Sequence, residues 1–187
     1  LDFSEVKEGV DFVFDKHPEL AKIGSKQLYS KYLDSELLDS DVKDVVYHAS
    51  PNEFEEFFDN KGGTFVDRNL TRIEGMGNNK YAVIVKVKNP YIQKDEKPFD
   101  LFEEEEYKAG VAAGNIITGS EIVVFDHKNT LILGSKRDIE GFKEFAKNNS
   151  LLTEDLKQDL IKKHGSDAIE VFNSLTEEEQ MAIIKCL

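Results

Sequence analysis

Apolar residues cluster at helical spacing at both ends of the chain and gather into short β-branched runs in the middle. Residues 2–44 read as helical. Val10, Phe12, Val13 and Phe14 form one apolar cluster, and His17-Pro18-Glu19-Leu20-Ala21 has proline where a first helical turn accepts it. Ser25 stands as an N-cap ahead of Leu28, Tyr29, Tyr32 and Leu33, whose spacing keeps them on one side of a helix. Packing in a core or an interface is the ordinary reading of Tyr29 and Tyr32.

The period then changes. Val45-Val46-Tyr47-His48 predicts a strand, ended by the turn residues Ser50-Pro51-Asn52. Phe54, Phe57 and Phe58 follow at helical spacing, and Lys61-Gly62-Gly63-Thr64-Phe65-Val66 reads as a strand led by glycine. Residues 67–79 are polar, contain Gly75 and Gly77, and read as a loop. Tyr81 to Val87 is a strong strand pattern stopped by Asn89-Pro90. Residues 94–106 are acidic and end in four consecutive glutamates, a pattern that reads as a solvated run. Three short strands follow, at Ile116-Ile117, Glu121 to Phe125 and Thr130 to Leu133.

Residues 138–147 predict a helix with Ile139, Phe142 and Phe145 on one face. From Ser150 onward the pattern is purely helical. Leu151, Leu152, Leu156, Leu160 and Ile161 make a stripe, Gly165-Ser166 breaks it, and Ile169, Val171 and Phe172 resume it. Thr176-Glu177-Glu178-Glu179 resembles a capped helix start before Met181, Ile183 and Ile184. This tail reads as a separate helical module, and the chain carries no internal repeat.

Composition narrows the classes. The chain has 187 residues, 40% hydrophobic and 33% charged, which fits one globular domain with an appendage. No apolar run approaches the roughly 18 residues of a membrane span. The first residues lack the pattern of a signal peptide, and with no initiator Met the chain reads as a fragment or a processed segment. Cys186 is the single cysteine, so no internal disulfide is expected and a reducing, cytoplasmic setting fits. The net charge of -13, from 37 acidic and 24 basic residues, repels phosphate backbones and anionic lipid. No nucleic-acid or membrane partner is therefore expected. Solubility is the plain meaning of such a charge, and a basic protein partner is compatible with it.

Most common chemistries lack their residues. His17, His48, His127 and His164 are scattered and make no HxxxH pair, so no metal site is expected. Neither a phosphate-cradling GxxxxGK[ST] nor a GxGxxG fingerprint is present. What remains is Tyr47-His48-Ala49-Ser50-Pro51 at a strand end, the Gly-led strand after it, and a late strand opening Ser120-Glu121-Ile122-Val123-Val124-Phe125.

Together these stretches resemble the ADP-ribosyltransferase superfamily, most closely the small transferase domains of phage and mobile-element polyvalent proteins. Val85-Lys86-Val87-Lys88-Asn89-Pro90 and the run from Leu131 to Phe142 add to the likeness, which covers roughly residues 15–148 in order. The resemblance implies an α+β fold with a split pair of small mixed sheets, N-terminal helices and a C-terminal helical appendage. The expected divisions are a helical cap over residues 1–44, a β core over 45–149 and a helical module over 150–187.

The resemblance also implies NAD+ as the substrate and a protein acceptor as partner, with no metal. Glu121 would be the catalytic carboxylate, stabilising the oxocarbenium-like transition state through the ribose 2′-hydroxyl. His48 would bond the adenosine ribose, assisted by its neighbour Tyr47. Backbone groups of Ala49 would clasp the nicotinamide carboxamide, with Ser50 closing the clasp. The aromatic that stacks on nicotinamide would come from the Gly63-Thr64-Phe65 stretch. Without this pattern, a histidine at a strand end is commonly structural and a glutamate before an apolar strand commonly faces solvent.

Several positions depart from the family pattern. Ala49 stands where glycine is usual, Phe65 is the single aromatic in its strand, and residues 67–79 lack an Ala-Xaa-Xaa-Tyr helix. Asp126-His127-Lys128-Asn129 replaces a Pro-Glu-Gln turn. A second reading is therefore a degenerate transferase domain that binds a protein. A third, a nuclease or nucleic-acid binder, is disfavoured by the charge.

Overall fold

The structure is a computed structural model and describes residues 5–58, 62–94, 102–149 and 154–186. The chain divides into two compact units, Leu1–Ser35 with Lys136–Leu187, and Glu36–Ser135. The expected α+β class holds, with helices and one mixed sheet among the described residues.

The unit spanning Glu36–Ser135 is built on seven strands: β1 (Val46–Ser50), β2 (Thr64–Asp67), β3 (Asn79–Val85), β4 (Tyr91–Ile92), β5 (Asn115–Thr118), β6 (Glu121–Val124) and β7 (Thr130–Ile132). Their order is β4-β5-β6-β2-β1-β3-β7, antiparallel throughout except for β4 beside β5. The expected pair of separate sheets is in fact one hydrogen-bonded sheet. Its halves are joined thinly, because β1 pairs with β2 only at Tyr47↔Asp67, whereas β1 and β3 share five pairs from Val46↔Val83 to Ser50↔Asn79. One face buries Val46, Val66, Val83, Val85, Ile122 and Val124 against Phe54, Phe57 and Tyr81. This apolar layer is what β-branched residues on alternate positions provide.

Three local expectations change in this unit. Phe54 and Phe57 pack on the sheet from an irregular segment rather than a helix. The segment is tied by side chains to its neighbours: Asn52 N–H bonds Ser50 Oγ and Phe54 N–H bonds Tyr81 Oη on β3. The strand expected to reach Val87 ends at Val85: Lys86 N–H still donates to the carbonyl of Asn129, next in register just before β7, but Val87 N–H turns away to Ser40 Oγ. The glutamate run begins a helix, α3 (Glu104–Ala113), in which Glu103 and Glu106 form a reciprocal capping box. Lys61 and residues 95–101, within segments read above as strand and polar run, lie outside the described residues.

The other unit is helical: α1 (Val10–Lys16), a 3-10 turn at Pro18–Lys22, α2 (Lys26–Glu36), α4 (Lys136–Asn149), α5 (Glu154–His164), α6 (Ala168–Ser174) and α7 (Glu177–Cys186). Ser25 Oγ accepts from Leu28 N–H at 3.1 Å and starts α2 as expected. Tyr29 is fully buried, in edge-on contact with Phe14 and Phe142, and donates to Asp138 Oδ2 at 2.6 Å. Leu160 and Phe172 centre a small cluster joined by Leu156, Ile169, Ile183 and Ile184, whereas Val171, assigned to the same stripe, is exposed. Leu151 and Leu152 lie outside the described residues. Asn173 Nδ2 donates to the Lys22 carbonyl at 3.3 Å, so the C-terminal helices share a unit with the N-terminal ones.

Candidate functional site

His48, Ala49 and Ser50 lie on the part of β1 that separates from β2, Phe65 lies on β2, and Glu121 lies on β6 opposite Asp67. Beyond Tyr47↔Asp67 no register pair joins the two strands. A side chain spans the gap instead: His48 Nδ1 lies 2.7 Å from the Phe65 carbonyl oxygen. A carbonyl only accepts, so Nδ1 carries the proton and Nε2 of the neutral ring presents its lone pair. Burial lowers the His48 pKa from 6.5, partly opposed by the bond to Phe65. The ring is walled by Phe57 at 5.0 Å, Phe54 at 5.8 Å and Tyr81 at 6.4 Å between centroids.

Tyr47 is buried, and Ala49 and Ser50 complete β1, opposite Lys80 and Asn79 of β3. Asn89 is the sole non-glycine with positive φ among the described residues, so Ala49 sits in a backbone region open to alanine. Gly63 has φ 81°, and a Cβ there would stand 2.7 Å from Val123 Cγ1. Thr64 is buried, while Phe65 remains 38% exposed.

Glu121 opens β6, in register with Asp67 on one side and Thr118 on the other. Residues opposite one another in an antiparallel pair share a face, as do alternate residues of one strand. Phe65, Asp67 and Glu121 therefore lie on one face, and Glu121 Oε1 is buried. His48 belongs to the alternate set, on the face of Tyr81, and reaches Phe65 through its carbonyl. Register thus groups Phe65 with Glu121 and attaches His48 at the gap; it does not put the His48 and Glu121 side chains on one face.

Three residues beyond those marked in the sequence complete the group. Asp67, 6% exposed, accepts from Asn69 N–H at 2.8 Å and from Ser120 Oγ at 3.1 Å. Arg72 donates to Ser120 Oγ at 2.8 Å, and its Nε lies 3.6 Å from Asp67 Oδ2. Arg72 comes from a 3-10 turn, Leu70–Ile73, capped by Asn69, in the segment read as a loop. The spacing of Asp67 and Asn69, a pair suited to side-chain-capped turns, was the available signal.

A cavity of about 510 Å³ lies elsewhere in this unit, lined by Lys86, Lys88, Asn115 and Asp126 among others, and includes none of these residues. Its lysines are already paired, Lys86 with Glu36 at 2.8 Å and Lys88 with Asp39 at 3.8 Å. Its chemistry is that of a solvated cleft between ion pairs.

Among the described residues no three His, Cys, Asp or Glu side chains gather as a metal site, and no helix is long and apolar enough to cross a membrane. The chain matches no protein-family model, no curated protein and no solved structure.

Proposed function

We propose that this chain transfers ADP-ribose from NAD+ to a protein, with Glu121 as the catalytic carboxylate. The observation that carries the reading is the contact of His48 with the Phe65 carbonyl across the β1–β2 gap, with exposed Phe65 and Glu121 of the neighbouring β6 on one face. The finer fold assignment, a split ADP-ribosyltransferase-like sheet, belongs to the same proposal. It is supported by the thinness of the seam within the one sheet, where a single Cα pair, Tyr47↔Asp67, joins β4-β5-β6-β2 to β1-β3-β7.

In this reading the bond between the ribose anomeric carbon and the pyridinium nitrogen breaks, its electron pair going to nicotinamide. Glu121 accepts a hydrogen bond from the ribose 2′-hydroxyl and offsets the positive charge developing beside it. The lone pair on His48 Nε2 accepts from a hydroxyl of the adenosine ribose. Backbone groups of Ala49, with Ser50, hold the carboxamide, and Phe65 stacks on the nicotinamide ring. The acceptor is a protein nucleophile, and the setting is cytoplasmic, with a phage or mobile element as the source.

Nicotinamide release by wild type and Glu121→Gln tests the reading. Loss of the carboxylate is expected to lower turnover about 10²- to 10³-fold while NAD+ affinity holds. The competing reading, a protein-binding module, draws on residues 67–79, where a 3-10 turn stands in place of an aromatic-bearing helix. Absence of NAD+ binding in a titration, together with tight binding of a protein, selects that module.

A further inference from the structure

Two carboxylates stand directly opposite each other at the site, Asp67 on β2 and Glu121 on β6. Like charges in that arrangement repel, and burial strengthens the repulsion. Asp67 is 6% exposed and both of its oxygens are occupied, Oδ1 by Asn69 N–H and Oδ2 by Ser120 Oγ. It is thus poorly placed to act as a base. Its second oxygen instead faces a cation, Arg72, which also donates to the Ser120 hydroxyl.

Ser120 immediately precedes Glu121 and ends a two-residue hairpin loop, since Thr118 pairs with Glu121. Gly119 takes φ 59°, the positive angle that such a tight loop demands at its first position. The loop is also held by Arg68, whose backbone N–H bonds the Ser120 carbonyl at 3.0 Å. The Arg68 guanidinium bonds the Gly119 carbonyl at 3.3 Å and pairs with Asp44 at 3.2 Å. Arg68 therefore fixes the backbone of the loop, and Arg72 links the Ser120 side chain to the opposing carboxylate.

From this geometry we infer that Arg72 is a positioning residue, holding the Glu121 carboxylate in place through Asp67 and Ser120 as counter-ion to the facing acids. Its catalytic consequence rests on the ADP-ribosyltransferase reading, whereas its hold on Glu121 does not. Arg72 is 61% exposed by its side chain, so its replacement removes little packing. A planar fork that reaches two partners at once is specific to arginine, and Arg72→Lys is expected to restore charge without the geometry.

The test compares wild type, Arg72→Gln and Arg72→Lys as full chains. The first measurement is the carboxyl ¹³C resonance of Glu121 without NAD+ at pH 7, identified by its loss in Glu121→Gln. The resonance is expected to move in Arg72→Gln and to return part of the way in Arg72→Lys. Steady-state nicotinamide release is expected to show kcat lowered about 10- to 100-fold with KM for NAD+ little changed, the signature of a misplaced catalytic group. Unchanged melting temperature separates this from a general loss of structure. An unmoved resonance overturns the inference, as does a rate loss carried by KM or by lowered stability. If wild type releases no nicotinamide, the transferase reading fails by itself, and the resonance still decides whether Arg72 holds Glu121.

Discussion

Replacing Gly63 by alanine adds one carbon at a place where two separate penalties can be resolved. The backbone there has φ 81°, a left-handed conformation that costs an L-residue about 1–2 kcal/mol. The new Cβ would also stand 2.7 Å from Val123 Cγ1, and 3.2 and 3.3 Å from two ring atoms of Phe125. Val123 is fully buried in β6, so it has little room to retreat, and overpacking of this kind costs about 1–3 kcal/mol. Gly63→Ala should therefore destabilise the protein by roughly 2–5 kcal/mol.

The two penalties separate in a double-mutant cycle with Val123→Ala. That change alone forfeits roughly 1.5–3 kcal/mol of buried apolar side chain, but it deletes the methyl that the new Cβ meets. The double mutant should be more stable than additivity predicts by about 1–3 kcal/mol, and the left-handed strain should remain. Urea unfolding followed by far-UV circular dichroism gives each stability from midpoint and slope. Additivity within about 0.5 kcal/mol would refute the placement of Gly63 against β6, and with it the register of β2 on β6. It would also return Gly63 to the position of a residue free to serve a ligand.

Two other perturbations address the titrating groups. Burial lowers the His48 pKa below 6.5, so the unfolded chain binds a proton more readily there; the folded state loses stability as pH falls below about 6.5. That slope should be absent in His48→Asn, which keeps a donor for the Phe65 carbonyl, and equal slopes in urea unfolding at pH 5 to 7.5 would contradict it. Tyr29 is held protonated far above its ordinary 10.0 by burial first and by Asp138 second, so stability should fall as pH rises past about 10. Tyr29→Phe should remove that alkaline slope and cost about 1.5–3 kcal/mol at pH 7, the value of a hydrogen bond to a charged group. A cost near zero would mean that Asp138 is satisfied without the phenol.

How far the sequence displays the fold depends on the kind of signal each element uses. β1, β3, β6 and β7 were legible because their apolar residues are β-branched and bounded by Asn, Gly, Pro or Asp turns. α3 was missed because it has no apolar stripe: its one fully buried position is Gly110, where a side chain would run into Ile116. Its start was written in the pairing of Glu103 with Glu106, hidden inside a run of like charge. The helical spacing of Phe54 and Phe57 misled for the opposite reason. The two rings lie 5.1 Å apart and both pack beside Tyr81 and the sheet core, a contact made without any helical turn. Spacing records which side chains meet, and more than one backbone path brings two aromatics together.

The site was legible only where it lies within a strand. Tyr47 to Ser50, Gly63 to Phe65 and Glu121 carry a pattern along the chain, whereas Asp67, Ser120 and Arg72 acquire meaning only when β2 lies beside β6. Ser120 and Asp67 are 53 positions apart and meet by register alone, so no local signal could have joined them. The same limit applies to charge. A net charge of -13 describes the field at a distance, yet two of the chain's three arginines, Arg68 and Arg72, converge on the loop before Glu121. There they face Asp44 and Asp67, so the local balance at the carboxylate is set by neighbours rather than by the total. An acidic protein can in this way keep a cation beside a strand pair where an aspartate stands opposite a partly buried glutamate, as Arg72 does beside Asp67.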